Sequence, residues 1–224
     1  YTAIMNAPAG ARPPSPPSPP SPPSTPAVPA APPLPLLLVR HGRTSWNAAG
    51  RIQGHTDVPL DEVGRDQARQ LGEALRARRV RAIACSDLRR ARETATIVGD
   101  LLGVPVALVL PELRERQLGV FEGRLRDECI ARWPEHWAGW EGAPGNTPPG
   151  GEDFPAFRAR AMAALRRVAR ELARPDAPVL VVSHGGFLRA VLEAVAPDRA
   201  VTTVANATVH ELELVEEDFR LGGG

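Results

Sequence analysis

The chain has 224 residues, a formal net charge of +1 from 27 basic and 26 acidic side chains, and two cysteines. Near-balanced charge gives no general attraction to nucleic acid or to an acidic membrane surface, and two cysteines make no disulfide framework. No apolar run approaches the roughly 18 residues of a membrane span, and the simplest setting for Cys85 and Cys129 is the reducing cytoplasm.

Residues 1–33 differ in material from the rest. "PPSPPSPPSPPS" is a Pro-Pro-Ser repeat that has no side chains for a core and favours extended polyproline II. It reads as a stiff, solvated arm, with a weak ligand for an SH3-like or WW-like domain as the sharper alternative. The arm lacks the basic start and apolar stretch of a secretory signal.

From residue 34 to 224 the pattern predicts one α/β domain of about 190 residues, enough for a sizeable core. "PLLLV" (35–39) is a buried strand. Residues 61–79 predict a helix, with Asp61 as N-cap and Ala68, Leu71 and Leu75 on one face. "VRAIAC" (80–85) is a second strand. Leu88, Ala91, Ala95, Val98 and Leu102 then repeat at helical spacing, and Gly103 is a C-cap signal. "VPVALVL" (104–110) is a third strand, and Phe157 to Leu172 a long amphipathic helix. "PVLVVS" (178–183) is a fourth strand, followed by a helix from about Phe187 to Val195 and by "ATVHELEL", which alternates like an edge strand. The fold class expected is a mostly parallel central sheet flanked by helices on both faces, with a short helical lid at about 124–153.

Three of these strands end in groups suited to an anion. "LLLV" runs into Arg40-His41-Gly42, "VRAIAC" into Ser86-Asp87-Leu88-Arg89-Arg90, and "VLVV" into Ser183-His184-Gly185-Gly186. In open α/β sheets, ligands bind outside the carboxyl ends of strands, and a helix N-terminus after a glycine pair offers unpaired N–H groups. All basic residues are arginine, so arginine content alone says little here; position carries the case for phosphate.

The segments "LLLVRHGRTSWN", "SDLRRARETA", "LRERQLGVFEG" and "VVSHGG" resemble, in order, the signature segments of the histidine phosphatase superfamily, in its phosphoglycerate-mutase-like branch. The resemblance runs from about Leu36 to Leu214. It implies a phosphohistidine on His41, with Arg40, Arg90 and His184 binding the phosphoryl oxygens. It also implies that Glu115 protonates the leaving oxygen and then activates water. Asn47, Gln53, Gly54, Gly185 and Glu152 are the implied substrate-binding residues. Asp153 stands where the family has serine, and Phe121 where it has tryptophan.

The chemistry is sound without the name. A neutral imidazole is a good nucleophile near pH 7, and neighbouring cations hold it neutral while they orient phosphate. Positioning and charge neutralisation dominate phosphoryl transfer, so no cofactor is expected, and no metal, since His41 and His184 lack a metal-ligand spacing. Arg43 is expected at the surface, and of the adjacent Arg89 and Arg90 only one can face a given pocket. His55, His136 and His210 are expected to be solvated or structural, with His55 close enough to Gln53-Gly54 to reach the pocket. Glu112, Glu122 and Glu152 are the carboxylates that would replace Glu115 if it were misassigned.

Trp133, Trp137 and Trp140 fall on one face of a short helix and are expected to pack the lid. Residues 124–153 carry three arginines against Asp127, Glu128, Glu135, Glu141, Glu152 and Asp153. A mutase must retain a doubly phosphorylated intermediate under a basic lid, so this acidic segment favours a phosphatase acting on a small phosphorylated metabolite. The alternative is a cofactor-dependent phosphoglycerate mutase, and an inactive scaffold with a Pro-rich arm is a third, weaker reading.

Overall fold

The computed structural model describes residues 32–138, 147–198 and 204–222. The Pro-Pro-Ser repeat, Trp140 and Glu141 lie outside the described residues. In chain order, β1 (Leu34–Arg40) leads to a single-turn α1 (Ser45–Ala48) and to α2 (Glu62–Leu75). Then come β2 (Ala82–Ser86), α3 (Arg89–Leu102) and β3 (Val106–Leu110). Two short helices, α4 (Arg126–Arg132) and α5 (Pro134–Trp137), precede the long α6 (Phe154–Leu172). β4 (Val179–Ser183), α7 (Gly185–Val195), β5 (Val209–Val215) and β6 (Asp218–Leu221) complete the order.

The strands form one sheet in the order β3-β2-β4-β1-β5-β6. β3, β2, β4 and β1 pair in parallel; β5 is antiparallel to β1, and β6 to β5. The unbroken apolar runs are explained by burial on both faces. Leu36, Leu38, Val179 and Val181 pack under α6 and α7, against Phe157, Leu165, Phe187 and Leu188. Their neighbours Leu37, Val39, Leu180 and Val182 point the other way, against Leu71, Ala91, Ala95 and Val98 of α2 and α3. Helices therefore cover both faces, as a mostly parallel sheet requires.

Several expected boundaries move. The α-helix begun by Asp61, whose side chain accepts the Gly64 N–H at 2.8 Å, ends at Leu75; a 3-10 turn follows, and Arg79 turns left-handed into β2. Helix α7 starts at Gly185, two residues earlier than expected. β5 is not an edge strand, because β6 folds back and covers it. β6 escapes sequence reading because four residues with one buried side chain, Phe219, show too little alternation.

Trp133 and Trp137 do not sit together within one helix. Trp133 breaks the chain between α4 and α5 with φ −139° and ψ 58°, since Pro134 disfavours helical backbone in the residue before it. Trp133 and Trp137 nevertheless pack on buried Phe121, at ring-centroid distances of 6.0 and 5.5 Å. Arg124 and Arg132 stack on Trp133, and Arg126 on Trp137. Phe121 thus fills its place as a packing residue.

The strand order also places the site. After β1 the chain crosses to β2, on one side of the β4–β1 pair; after β4 it crosses to β5, on the other. Such a reversal opens a crevice at the carboxyl ends of the two strands between which it occurs.

Candidate active site

The parallel register of β1 on β4 pairs Arg40 with Ser183, so the next residue of each strand enters the crevice together. The His41 N–H donates to the Ser183 carbonyl at 2.9 Å, and the rings of His41 and His184 stand edge to face with centroids 5.2 Å apart. Both imidazoles are buried, at 3% and 0% exposure. The Nδ1 of His41 lies 2.7 Å from the Gly42 carbonyl, which only accepts, so Nδ1 carries the proton and Nε2 keeps its lone pair. Both ring nitrogens of His184 lack a protein partner among the described residues, as a side chain reserved for substrate oxygens would.

Burial holds the His41 pKa well below the ordinary histidine value, with Arg90 and then Arg40 adding to the effect. Burial does the same to His184, reinforced by Arg90, His41 and Arg40. Two neutral imidazoles therefore share the crevice with two cations.

Arg90 is the largest fully buried side chain among the described residues, 1% exposed in the first turn of α3. Its Nη1 donates to the Thr56 carbonyl and its Nη2 to the Gly54 carbonyl, both at 2.8 Å, and its Nε–H points at His41 Nε2 from 3.2 Å. Burial pulls its pKa down to about 10, with Glu115 the leading group in the opposite direction, so it stays charged at neutral pH. Arg89, its neighbour, faces solvent on Glu93, as the helical geometry demands. Arg40 donates from Nη1 to the Val204 carbonyl at 2.7 Å, while its buried Nε has no partner among the described residues.

Glu115 closes the crevice from the segment that follows β3 and the 3-10 turn Pro111–Leu113. Its Oε2 accepts the Gly186 N–H at 2.8 Å, at the N-terminus of α7, and its Oε1 accepts the Arg116 N–H at 2.9 Å. Glu115 lines both a cavity of about 200 Å³ over His41 and Arg90 and an adjoining one of about 280 Å³. The other nearby carboxylates are engaged elsewhere. Glu112 faces Arg167, Glu152 is bound by Arg160, and Glu122 is bound by backbone N–H groups.

Of the expected substrate-binding residues, Asn47, Gln53, Gly54 and Gly185 line the cavity over His41. Asn47 Oδ1 is used to cap α1, accepting from the Thr44 N–H and Oγ1–H, while Gln53 Oε1 is buried without a partner. Glu152 departs from expectation. Its carboxylate is held by Arg160 at 2.7 and 2.9 Å, and it lines neither of these two cavities. The physical reason is that Arg160 also donates to the carbonyls of Glu112, Arg114 and Glu115, tying the acid-bearing segment to α6. Asp153 N-caps α6 by accepting the Ala156 N–H, a task serine performs equally well.

His55 is structural here, its Nε2–H donating to the Glu115 carbonyl at 2.9 Å. Arg43 pairs with Asp61, and burial pushes the Cys85 thiol up to about 12, which leaves it unreactive. Two supports went unrecognised in the sequence. Thr94, fully buried, accepts the Gly42 N–H at 3.0 Å and donates to the Arg90 carbonyl one turn back, tying α3 to the loop after β1. Asn206 donates to the His41 carbonyl at 2.7 Å. A threonine in a helix and an asparagine in a turn carry no local signal of such a task. Among the described residues there is no cluster of three or more His, Cys, Asp or Glu side chains suited to a metal ion.

Taken together, a neutral nucleophile, two anchored guanidiniums, a second imidazole and a carboxylate converge on one crevice. That set can accept a phosphoryl group and deliver a proton to what leaves. Comparisons with known proteins agree. A model of the histidine phosphatase superfamily (branch 1) matches residues 36–222. The metal-independent phosphoserine phosphatase of Arabidopsis thaliana is 35% identical over 187 residues, covering 82% of this chain and 78% of that protein. An uncharacterized phosphatase, PhoE, of Bacillus subtilis (strain 168) is 33% identical over 187 residues, covering 82% and 90%. The structure of a mycobacterial glucosyl-3-phosphoglycerate phosphatase in complex with VO3 superposes with a TM-score of 0.74 at 30% identity, over 85% of this chain and 98% of that one.

Proposed function

This chain belongs to the histidine phosphatase superfamily, branch 1, and from that premise we propose that it hydrolyses small phosphomonoesters through a phosphohistidine on His41. The observation that carries the reading is the pair of neutral, buried imidazoles set between Arg40 and Arg90, with Glu115 lining the same cavity.

His41 Nε2 attacks phosphorus in line with the ester oxygen, and the P–O bond breaks. Arg40, Arg90 and His184 hold the three non-bridging oxygens, where charge is spread in the transition state. The carboxyl of Glu115 gives its proton to the departing alkoxide. Water then enters, Glu115 takes its proton, and attack on the phosphohistidine breaks the P–N bond to release phosphate and restore His41. Splitting one displacement into two lets a single imidazole serve as nucleophile and then as leaving group.

The adjoining cavity of about 280 Å³, lined in part by Arg116, Phe154 and Arg189, suits the organic portion of a small metabolite ester. Relatives named for phosphoserine and for glucosyl-3-phosphoglycerate make those esters the first to assay. Hydrolysis is favoured over mutase chemistry because residues 124–153 carry three arginines against six carboxylates, where a doubly phosphorylated intermediate calls for a basic lid. Two buried, unpaired cysteines suit a cytoplasmic setting, and no described helix is long and apolar enough to cross a membrane. The Pro-Pro-Ser repeat suits an SH3-like or WW-like groove, on composition alone.

The test is to trap the intermediate. Labelled phosphoserine quenched in alkali should leave label on the protein, and acid should release it, since a phosphoramidate is acid-labile. Label persisting in a His41→Ala variant would refute the assignment.

A further inference from the structure

Glu122 touches none of the reacting groups, yet two loops of the site meet on its carboxylate. Oε1 accepts the backbone N–H groups of His55 and Leu118, each at 3.0 Å. Oε2 accepts the Thr56 N–H at 2.9 Å and the Thr56 Oγ1–H at 2.7 Å. The loop held in this way supplies the Gly54 and Thr56 carbonyls that receive Arg90. Gly54 is left-handed, at φ +53°, and a Cβ there would lie 2.2 Å from Glu122 Oε1, so the carboxylate packs directly on the loop backbone.

We infer that Glu122 is a positioning residue of the phosphoryl site: it fixes the Gly54–Thr56 loop, and the carbonyls of that loop fix the Arg90 guanidinium against His41. The inference rests on the phosphatase reading above and deepens it.

Only a carboxylate satisfies this arrangement, because four donors converge on two oxygens. Glutamine has the same shape but keeps one acceptor. Whichever way its amide turns, an NH2 group faces either the His55 and Leu118 donors or the two Thr56 donors. The carbonyls would then move, and with them a guanidinium whose value lies in a fixed fork of donors. The negative charge of Glu122 also helps keep Arg90 protonated against its burial, after Glu115 and Asp57.

Inorganic phosphate as a competitive inhibitor is the probe, read beside hydrolysis of p-nitrophenyl phosphate. Glu122→Gln should raise the phosphate inhibition constant about tenfold and lower kcat/KM by a similar factor or more, at temperatures where the variant is fully folded. Arg90→Ala should lose more than that. The double variant should lose no more than Arg90→Ala alone, to within about twofold, because Glu122 acts through Arg90.

Losses that multiply in the double variant would overturn the proposal. So would a Glu122→Gln protein of lower thermal stability but unchanged phosphate inhibition, which is the signature of a merely structural carboxylate. If Glu122→Gln fails to fold, Thr56→Val decides: it removes one donor, and an unchanged inhibition constant would overturn the proposal. An Arg90→Ala protein with wild-type inhibition would sink the phosphatase reading itself, and this inference with it.

Discussion

Replacing Gly186 with alanine sets a methyl group against the proposed acid while leaving the acid in place. An added Cβ would lie 2.5 Å from Glu115 Oε1 and 3.0 Å from its Cδ. Real Cβ contacts begin near 3.0 Å, so the carboxylate must retreat by about 0.5–1 Å and its bond from the Gly186 N–H must lengthen. The obstructing atoms end a flexible side chain, so folding should cost little; alanine in a helix even gains up to about 1 kcal/mol over glycine. Function should not escape. General acid catalysis contributes about 10²–10⁴ in rate, and a misplacement near 1 Å can remove about 10². Gly186→Ala should therefore slow phosphoenzyme formation from phosphoserine by about 10–100-fold. Formation from p-nitrophenyl phosphate should fall by less than about threefold, because nitrophenolate leaves without a proton. The assay must be single-turnover formation of the phosphoenzyme, since its hydrolysis uses Glu115 as base whatever the substrate. Glu115→Gln serves as the reference and should show the same contrast, larger. Equal losses on both esters, or none, would refute the placement of Glu115 as acid on the α7 N-terminus.

Two further outcomes follow from the same electrostatics. His41 and His184 are held well below the usual histidine value of 6.5 by burial, so the native state keeps them neutral where the unfolded chain protonates them. Their contribution to stability is complete above pH 6.5 and is lost as pH falls, at up to about 1.4 kcal/mol per pH unit for each. Thermal denaturation between pH 7.5 and 5.5 should fall less steeply in His184→Gln than in the wild type, and parallel curves would contradict the burial argument. Hydrolysis should also survive prolonged dialysis against EDTA, because Arg40, Arg90 and His184 supply the charge and donors that phosphate needs. Loss of turnover on chelation, restored by a divalent metal, would overturn that assignment.

Much of this protein was legible from its sequence by itself. The runs Leu36–Val39 and Val179–Val182 announced strands buried on both faces, because only a two-sided core tolerates four apolar residues in a row. Each ended in histidine and glycine, so the chemistry could be located at strand termini before any pairing was known. Helix starts at Asp61 and ends at Gly103 were equally local, since a cap is a contract between neighbours in the chain. What the tertiary structure alone decided were the contacts between distant segments. The β1–β4 register brings His41 to His184, and that register depends on both strands at once. Glu152 is one acid in a loop by sequence, and only the packing of the following helix brings Arg160 onto it. Glu122 was one of several acids until four donors from two loops met on it, and β6 was invisible until it closed the sheet. A carboxylate carries the same charge wherever it stands in the chain; which donors reach it is set by the packing of segments far apart in sequence, and no local periodicity encodes that.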